Sequence, residues 1–243
     1  MGNKGKKTVL AIVSAMQVEI DYVYEYLQER TGWKKNDDNV YENDKKNLRI
    51  VAKVFGIGKV NAAFGTADLI NEEAPEMIVN VGYAGGLLKG SKKGDVAIGT
   101  DYVQVDLNPF FNENLPYIAP SPENVVKALL KEARVSGITV YKGRIATGDF
   151  FLHSSDKKKE IVTKYSPIAF DMESAAVAQV ASAKGVPFIA LRTFSDLADD
   201  NAAYQALLNR SEREKGCSIP IERRPVILAI NTFEKDPDLI PAI

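Results

Sequence analysis

Apolar runs of strand length recur along this chain, and most of them end in glycine or in charged residues. Continuous apolar runs are typical of strands that helices cover on both faces. Residues 186–199, VPFIALRTFSDLAD, are an example, because we expect the apolar strand to end at Ala190, and charged side chains follow from Arg192 onward. An ordinary polar loop is the alternative interpretation of that stretch. Segments with helical spacing separate the runs, and this alternation predicts an α/β fold with a mostly parallel sheet and a site at its carboxyl edge.

Length and composition favour a single domain. The chain has 243 residues, of which 45% are apolar and 26% charged, which is enough for one sizeable core. We expect residues 1–7 to be a flexible N-terminal segment and residues 8–243 to form the domain, with a divergent tail from about Leu207. Two short β runs, around Val40 and at residues 48–54, flank the polar turn ENDKKN and predict a hairpin.

Charge and cysteine content argue against several kinds of partner. With a net charge of −1 and a pI of about 6.0, the chain lacks the excess of Lys and Arg that holds nucleic acid. The apolar run at residues 9–13 is too short to span a membrane. The single cysteine, Cys217, excludes an internal disulfide, and no Cys/His spacing suggests a metal site. We therefore expect a cytoplasmic protein without metal, nucleic acid or membrane partners.

Glycines follow two of the predicted strands, as Gly56 and Gly58 in one place and as Gly82, Gly85 and Gly86 in another. A glycine turn at a helix start lets an anion or a ribose approach the backbone closely. Each turn taken alone could be a plain tight turn. Two such strand ends in one chain favour a shared crevice.

Four carboxylates lie at predicted strand ends, namely Glu19, Asp149, Glu173 and Asp196. Glu19 and Glu173 stand in first helical turns, where they could equally complement the helix dipole. The only histidine, His153, is expected at the surface, so acid–base chemistry falls to the carboxylates. The chain has no Walker A motif and no GxSxG elbow. This favours proton chemistry on a small ligand over phosphoryl or acyl transfer.

Seven short motifs occur in order along the chain, namely AMQVE (15–19), GIGKVNAA (56–63), GYAGGL (82–87), GDV (94–96), ATGDFFL (146–152), FDMESAAVA (170–178) and RTFSDLAD (192–199). This is the order seen in the 5′-methylthioadenosine/S-adenosylhomocysteine nucleosidases, and the chain resembles that family over about residues 8 to 200. The resemblance implies a single-domain, three-layer α/β/α fold of the nucleoside phosphorylase type with a mixed central sheet. It also implies hydrolysis of the N-glycosidic bond of methylthioadenosine or S-adenosylhomocysteine, with release of adenine and without a cofactor.

The resemblance also implies catalytic roles. Asp196 matches the general acid that hydrogen-bonds purine N7 and protonates the departing base, and Ser195 helps to position it. Glu19 matches the carboxylate that activates the attacking water. Arg192 matches the residue that orients this water and Glu19. Asp199 is assigned a structural role in the loop.

Further matches concern the substrate. By the resemblance, Glu173 accepts the ribose hydroxyls and Met172 lies against the sugar. Phe151 stacks on adenine, and the backbone of Leu152 reads the adenine edge. The remaining implied substrate-binding positions on the two glycine turns are Ile57, Tyr83 and Ala84.

The nucleophile separates hydrolysis from phosphorolysis. The phosphorylase branch of this fold generally has arginines near the first strand end and before its glycine turn, where this chain has Glu19 and IVNV (78–81). A carboxylate repels phosphate and can deprotonate water, so hydrolysis is favoured. A purine nucleoside phosphorylase and a catalytically impaired nucleoside-binding protein remain the alternative interpretations.

Two departures from the family pattern stand near the expected site. Tyr83 replaces the usual Ser or Thr and is expected to narrow or retune the pocket, while Val103 and Gln104 replace a frequent His-Asp and are expected to alter the dimer edge. By the same resemblance, Leu107 and Phe110 reach from one subunit over the 5′-alkylthio pocket of the other. A homodimer is therefore expected, because an apolar thioether needs an apolar wall.

The tail is the least constrained part of the chain. From Leu207 a charged stretch precedes an apolar segment at residues 226–233. The family generally closes with a long helix that carries an aromatic over the adenine, and Tyr204 is a candidate for that role. Loop and helix together form either a mobile lid or a divergent edge helix.

Overall fold

The structure, a computed structural model, describes residues 6–107, 117–202 and 223–241. Within these ranges one sheet contains the strands β1 (Thr8–Ser14), β2 (Lys34–Asp37), β3 (Val40–Asn43), β4 (Leu48–Val54), β5 (Met77–Gly86), β6 (Val96–Gln104), β7 (Val140–Thr147), β8 (Ala169–Asp171) and β9 (Phe188–Asp196). The helices are α1 (Gln17–Gln28), α2 (Lys59–Glu73), α3 (Glu123–Ser136), α4 (Ser155–Tyr165), α5 (Ser174–Ala183) and α6 (Arg223–Lys235), followed by a short 3-10 helix at Pro237–Leu239.

The sheet is mixed and partly closed. Its strand order is β2-β3-β4-β1-β5-β8-β7-β6-β9, and β9 pairs back to β5, so the last five strands form a ring. β1 is parallel to both β4 and β5, whereas β6 and β9 are antiparallel, as are β5 and β8. β3 and β4 form the hairpin expected around ENDKKN. The mixed central sheet is thus confirmed.

Side chains of β1 show why the fold has three layers. Leu10 and Ile12 are fully buried in a cluster with residues of α1, α3 and α6. Val9, Ala11 and Val13 alternate with them and are buried with residues of α2 and α5. Successive strand residues point to opposite faces, so a continuous apolar run requires a cover on each side. Each fully buried aliphatic side chain contributes about 1.5–3 kcal/mol, which fixes the two helical layers on the sheet.

Strand β9 extends further than the sequence suggested. The expected strand end at Ala190 is wrong, because pairing with β5 continues to Asp196, with Arg192 opposite Gly82. A register shift between Ala84 and Gly85 interrupts this ladder near its end. Asp199 lies beyond the strand, whereas Arg192 and Asp196 are strand residues held by hydrogen bonds and are not members of a loop. That arrangement gives their side chains fixed directions.

The apolar segment of the tail forms a core helix. Val226, Ile230 and Phe233 of α6 are buried, and they belong to the same cluster as α1 and α3. This corrects the expectation of an edge helix, because a row of apolar side chains on one helix face needs the main core to cover it. The preceding loop, with Leu207 and the candidate Tyr204, lies outside the described residues. None of the described helices is both long and apolar enough to cross a bilayer.

Candidate active site

A cavity of about 500 Å³ opens where β1, β5, β8 and β9 end and where α1 and α5 begin. It brings together most of the residues predicted for the site, namely Glu19, Ile57, Tyr83, Ala84, Phe151, Leu152, Met172, Glu173, Ser195 and Asp196. Arg192 lies behind the wall with no exposed surface. Leu107 is exposed and outside the cavity lining, and Phe110 lies outside the described residues.

Glu19 is a buried carboxylate with three backbone donors. Its Oε2 accepts hydrogen bonds from the N–H groups of Ala15 and Met16, at 3.1 and 2.9 Å, and its Oε1 accepts from the N–H of Tyr83 at 2.9 Å. The contact to Met16 caps the start of α1, and the same carboxylate lines the cavity. Burial raises the pKa of Glu19, opposed by the nearby Arg192 charge and by these N–H donors. The arrangement suits a general base fixed in direction.

Arg192 is paired behind the cavity wall. Its Nε lies 2.8 Å from Oδ2 of Asp171, with both side chains at most 1% exposed. Nε also donates to Oγ of Ser174 at 3.2 Å, and Nη2 lies 3.6 Å from Oε2 of Glu173. Asp171 and Glu173 raise the pKa of Arg192 and outweigh the cost of burial, with Glu19 adding to the effect. One permanent cation therefore faces three buried carboxylates.

Gly82 is the backbone point where Glu19 and Arg192 converge. A Cβ at residue 82 would lie 2.4 Å from Nη1 of Arg192 and 2.6 Å from Oε1 of Glu19. No real Cβ tolerates such distances, and the φ of +157° at residue 82 is itself rare for L side chains, so close approach and backbone conformation both favour glycine here. The glycine-rich end of β5 predicted from the sequence thus holds the two charged groups beside each other.

Glu173 stands at the N-terminus of α5 and reaches the other glycine turn. Its Oε1 accepts a hydrogen bond from the N–H of Gly58 at 3.0 Å. Burial raises the pKa of Glu173 to about 7, with Arg192 opposing the shift and Asp171 adding to it. A carboxylate that is partly ionised at neutral pH and has Oε2 turned towards Arg192 is a strong acceptor for hydroxyl groups.

Asp196, at the end of β9, is a further buried carboxylate on the cavity wall. Its Oδ2 accepts from Oγ of Ser195 at 2.7 Å, and its Oδ1 accepts from the N–H of Ala198 at 2.8 Å. Burial raises its pKa, while these two donors act in the opposite direction. Asp199 bonds to the N–H of Asn201 at 2.9 Å and is absent from the cavity lining, in keeping with a structural role.

Aromatic and apolar side chains form the rest of the wall. Phe151 is 47% exposed at the mouth, whereas Leu152 is buried. Phe150 packs on Phe170 with ring centroids 4.9 Å apart. The rings of His153 and Phe151 are stacked with centroids 6.3 Å apart, and His153 is exposed, as expected. An apolar wall facing a few fixed polar groups is the usual composition of a small-molecule site.

Asp171 is the functional residue that sequence reasoning missed. It lines the cavity, pairs with Arg192 and accepts from Oγ1 of Thr147 at 2.6 Å. It also accepts the N–H of Ser174 at 3.2 Å, which caps the first turn of α5. An acidic residue three positions before Ser174 was the available signal, but pairing with Arg192 depends on the fold. Asp149, grouped with the site carboxylates, lies outside the cavity lining.

Comparison with known proteins identifies the family. A family model described as the phosphorylase superfamily matches residues 9–217. A 5′-methylthioadenosine/S-adenosylhomocysteine nucleosidase of an Exiguobacterium species is 35% identical over 202 residues, which are 79% of this chain and 87% of that protein. This chain belongs to the 5′-methylthioadenosine/S-adenosylhomocysteine nucleosidase family. Its membership confirms the family that the seven motifs indicated.

Solved structures agree with this family and fold. A nucleosidase of the same name from Neisseria meningitidis, in complex with methylthio-immucillin-A, has a TM-score of 0.79 at 30% identity and covers 94% of this chain and 99% of its own. The futalosine hydrolase of Helicobacter pylori has a TM-score of 0.78 at 26% identity, with 94% and 98% covered. The phosphorylase-type fold is thus confirmed. Among the described residues no group of three or more His, Cys, Asp or Glu side chains could hold a metal ion.

Proposed function

We propose that this chain hydrolyses the N-glycosidic bond of 5′-methylthioadenosine and of S-adenosylhomocysteine, and releases adenine. The observation that carries this proposal is that Glu19 and Asp196, two of the four buried carboxylates on the wall of one cavity, are held by different donors on different elements. A reaction that needs both an acid and a water-activating base uses such a pair. The names of the most similar relatives, all nucleosidases for these two substrates, support the same activity.

Asp196 and Glu19 divide the proton transfers. As the bond between C1′ and N9 breaks, its electron pair moves onto the purine, and protonated Asp196 gives its proton to N7. Glu19 takes a proton from water as the water oxygen bonds to C1′, so one water is consumed. The raised pKa of Asp196 favours the protonated form of its carboxyl group. The N–H donors bound to Glu19 hold its carboxylate in a fixed orientation.

The remaining site residues bind the two halves of the substrate. Glu173 accepts the ribose hydroxyls, with Met172 against the sugar, and negative charge near the ribose stabilises the positive ring that develops. Phe151 stacks on adenine and Leu152 reads its edge. Arg192, fully buried, acts through its charge on Glu19 and Glu173.

Water is favoured over phosphate as the nucleophile by the charges around it. Asp171, Glu173 and Glu19 face the single guanidinium of Arg192, whose Nε is already bound to Asp171. Phosphate would add negative charge to a buried site with surplus carboxylates. A nucleoside-binding protein without turnover is disfavoured because it needs no acid paired with a base.

We further propose a homodimer in which a second copy covers the 5′ side of the cavity. On α2, Val60 is 80% exposed and Phe64 is 69% exposed, and Ile57 at the cavity edge is 54% exposed. Leu107, 42% exposed, belongs to the expected subunit contact together with Phe110. Adjacent exposed apolar side chains beside a site mark an interaction surface, and a self-complementary dimer is the common solution.

We also propose that the protein works in the cytoplasm. Its sequence has a single cysteine, as is usual in a reducing compartment.

Adenine release, measured with and without phosphate, tests the function. Purified protein is given methylthioadenosine, S-adenosylhomocysteine or 5′-deoxyadenosine, and products are separated by chromatography. We expect adenine and the free 5′-substituted ribose at the same rate with and without phosphate. Release that requires phosphate and yields a ribose 1-phosphate would indicate a phosphorylase. Tight binding of methylthioadenosine without release would indicate a binding protein.

We propose that substrate preference depends on Tyr83, a residue of the cavity lining whose backbone N–H bonds to Glu19. Tyrosine is bulkier than the Ser or Thr that is usual at this position in the family. We expect Tyr83→Ser to raise kcat/KM for the bulkier S-adenosylhomocysteine relative to methylthioadenosine. Parallel assays with both substrates measure that ratio.

A further inference from the structure

Asp149 lies outside the cavity but between two segments that line it. One segment is the turn at residues 56–58, which contributes Ile57 to the wall and leads into α2. The other follows β7 and contributes Phe151 and Leu152. Neither segment is a strand or helix at these positions, so contacts between them determine where their side chains stand.

Two consecutive N–H groups, one at the end of this turn and one at the first residue of α2, bind two different carboxylates. The N–H of Gly58 donates to Oε1 of Glu173 at 3.0 Å, and the N–H of Lys59 donates to Oδ1 of Asp149 at 2.8 Å. Gly58 is the N-cap of α2 and has no side chain to accept a first-turn N–H, so Asp149 supplies the missing cap from another part of the chain. Gly58 has φ +94°, and a Cβ there would lie 3.3 Å from Oδ1 of Asp149.

Asp106 holds the other side of this contact. Its Oδ1 pairs with Nζ of Lys59 at 2.6 Å, and its Oδ2 accepts the backbone N–H of Asp149 at 2.8 Å. Nζ of Lys59 also donates to Oε1 of Gln104 at 3.1 Å. Asp149 and Lys59 are thus joined directly and through Asp106, which forms a closed set of hydrogen bonds beside the cavity.

We propose that Asp149 is a positioning residue that locks the turn before α2 to the loop after β7, and thereby fixes both Glu173 and Phe151. The inference rests on the proposed function, in which Glu173 holds the ribose and Phe151 the adenine. Without Asp149 the Lys59 N–H loses its acceptor, and the neighbouring Gly58 N–H holds Glu173 less firmly. Substrate binding then weakens more than the chemical step.

The test compares Asp149→Ala with Asp149→Asn, which keeps an oxygen acceptor for Lys59. A matched control is Asp200→Ala, because Asp200 makes the same type of contact to the N–H and Oγ of Ser155 at the start of α4, at 3.2 and 2.7 Å. With methylthioadenosine we expect Asp149→Ala to lose about 10- to 100-fold in kcat/KM, mainly through a higher KM. Asp149→Asn should stay within roughly threefold of the natural protein, since a neutral acceptor still bonds, and Asp200→Ala should be unchanged.

Amide hydrogen exchange at Gly58 and Lys59 gives a readout that needs no turnover. Asp149→Ala should speed exchange at both positions, and Asp149→Asn should restore most of the protection. Natural exchange rates and a natural KM in Asp149→Ala would overturn the proposal, as would a lower melting temperature without a change in KM. If the natural protein releases no adenine at all, the proposed function fails, while the exchange rates still decide whether Asp149 holds this turn.

Discussion

Arg192 and Asp171 form an ion pair of 2.8 Å in which both side chains are buried, beside the candidate active site. Arg192 stands on β9 and Asp171 ends β8, so the pair links two strands of the closed part of the sheet to the wall of the cavity. Its charge is shared with Glu173 and Glu19, which face the same guanidinium. The pair therefore carries both stability and the charge balance of the site.

Breaking this pair should destabilise the protein. Asp171→Asn leaves a buried guanidinium with Glu173 and Glu19 as its remaining counter-charges, and we expect a loss of about 3 kcal/mol in the free energy of unfolding. Urea denaturation measures the loss. The control Glu123→Gln removes an exposed pair with Lys127 on α3 and should leave the transition midpoint in place. Equal midpoints for the natural protein and Asp171→Asn would contradict this role.

A methyl group at residue 82 should damage the site more than the fold. In Gly82→Ala the new Cβ meets Arg192 and Glu19, so the two charged groups must move apart. We expect kcat to fall by about 100-fold or more, because the Glu19 carboxylate is displaced from the position in which it activates water. Gly90→Ala is the control, since residue 90 has φ +87° but no atom within 4 Å of a Cβ. It should lose some stability and keep its kcat; equal losses of activity in both variants would contradict the argument.

Local patterns suffice for much of the fold and for part of the site. The apolar run of β1 predicts burial on both faces, and the glycines at the end of β5 predict close approach, because both depend on neighbouring residues alone. Asp171 could not be assigned, because its partner Arg192 meets it only once β8 and β9 belong to one closed sheet. The end of β9 was misplaced for a related reason: polarity suggested a loop, whereas pairing with β5 keeps Arg192 in a strand.

Asp196 should be indispensable for turnover, and Ser195 should set the pH range over which Asp196 is protonated. Asp196→Asn can hydrogen-bond N7 but cannot protonate it, so we expect kcat to fall by about 10²- to 10⁴-fold with an unchanged melting temperature. Oγ of Ser195 and the N–H of Ala198 favour the ionised form of Asp196, with Lys158 acting in the same direction and Asp199 against it.

In Ser195→Ala the pKa of Asp196 therefore rises further. An acid works only while protonated, so the alkaline limb of the kcat profile should move to higher pH. Rates of adenine release across the pH range, compared with the natural protein, measure this shift. A limb that stays in place or moves to lower pH would remove Asp196 from the role of the acid.

Charge on the exposed face of α2 should separate the proposed dimer. Phe64→Asp places a carboxylate among apolar side chains that a second copy would cover, so we expect a monomer in analytical ultracentrifugation and a higher KM for methylthioadenosine. Val135→Asp is the matched control, because Val135 is 70% exposed on α3, on the opposite face of the sheet. It should leave both association and KM unchanged. A natural protein that is monomeric and fully active at micromolar concentration would overturn the shared-site proposal.

Glu173 should destabilise the protein at alkaline pH, where its buried carboxylate is ionised. Its pKa of about 7 lies above the ordinary value of 4.5, because burial disfavours the ionised carboxylate. A group whose pKa is raised in the folded state stabilises the fold below pH 4.5, and this contribution is lost as the pH rises through 7.

Glu173→Gln stays neutral and keeps an oxygen acceptor for the N–H of Gly58. We therefore expect the variant to exceed the natural protein by roughly 1–3 kcal/mol in the free energy of unfolding at pH 8, and to match it near pH 4.5. Its KM should rise, since a neutral amide binds ribose hydroxyls more weakly than a carboxylate. Urea titrations at the two pH values measure the difference, and the same difference at both would show that ionisation of Glu173 is not its cause.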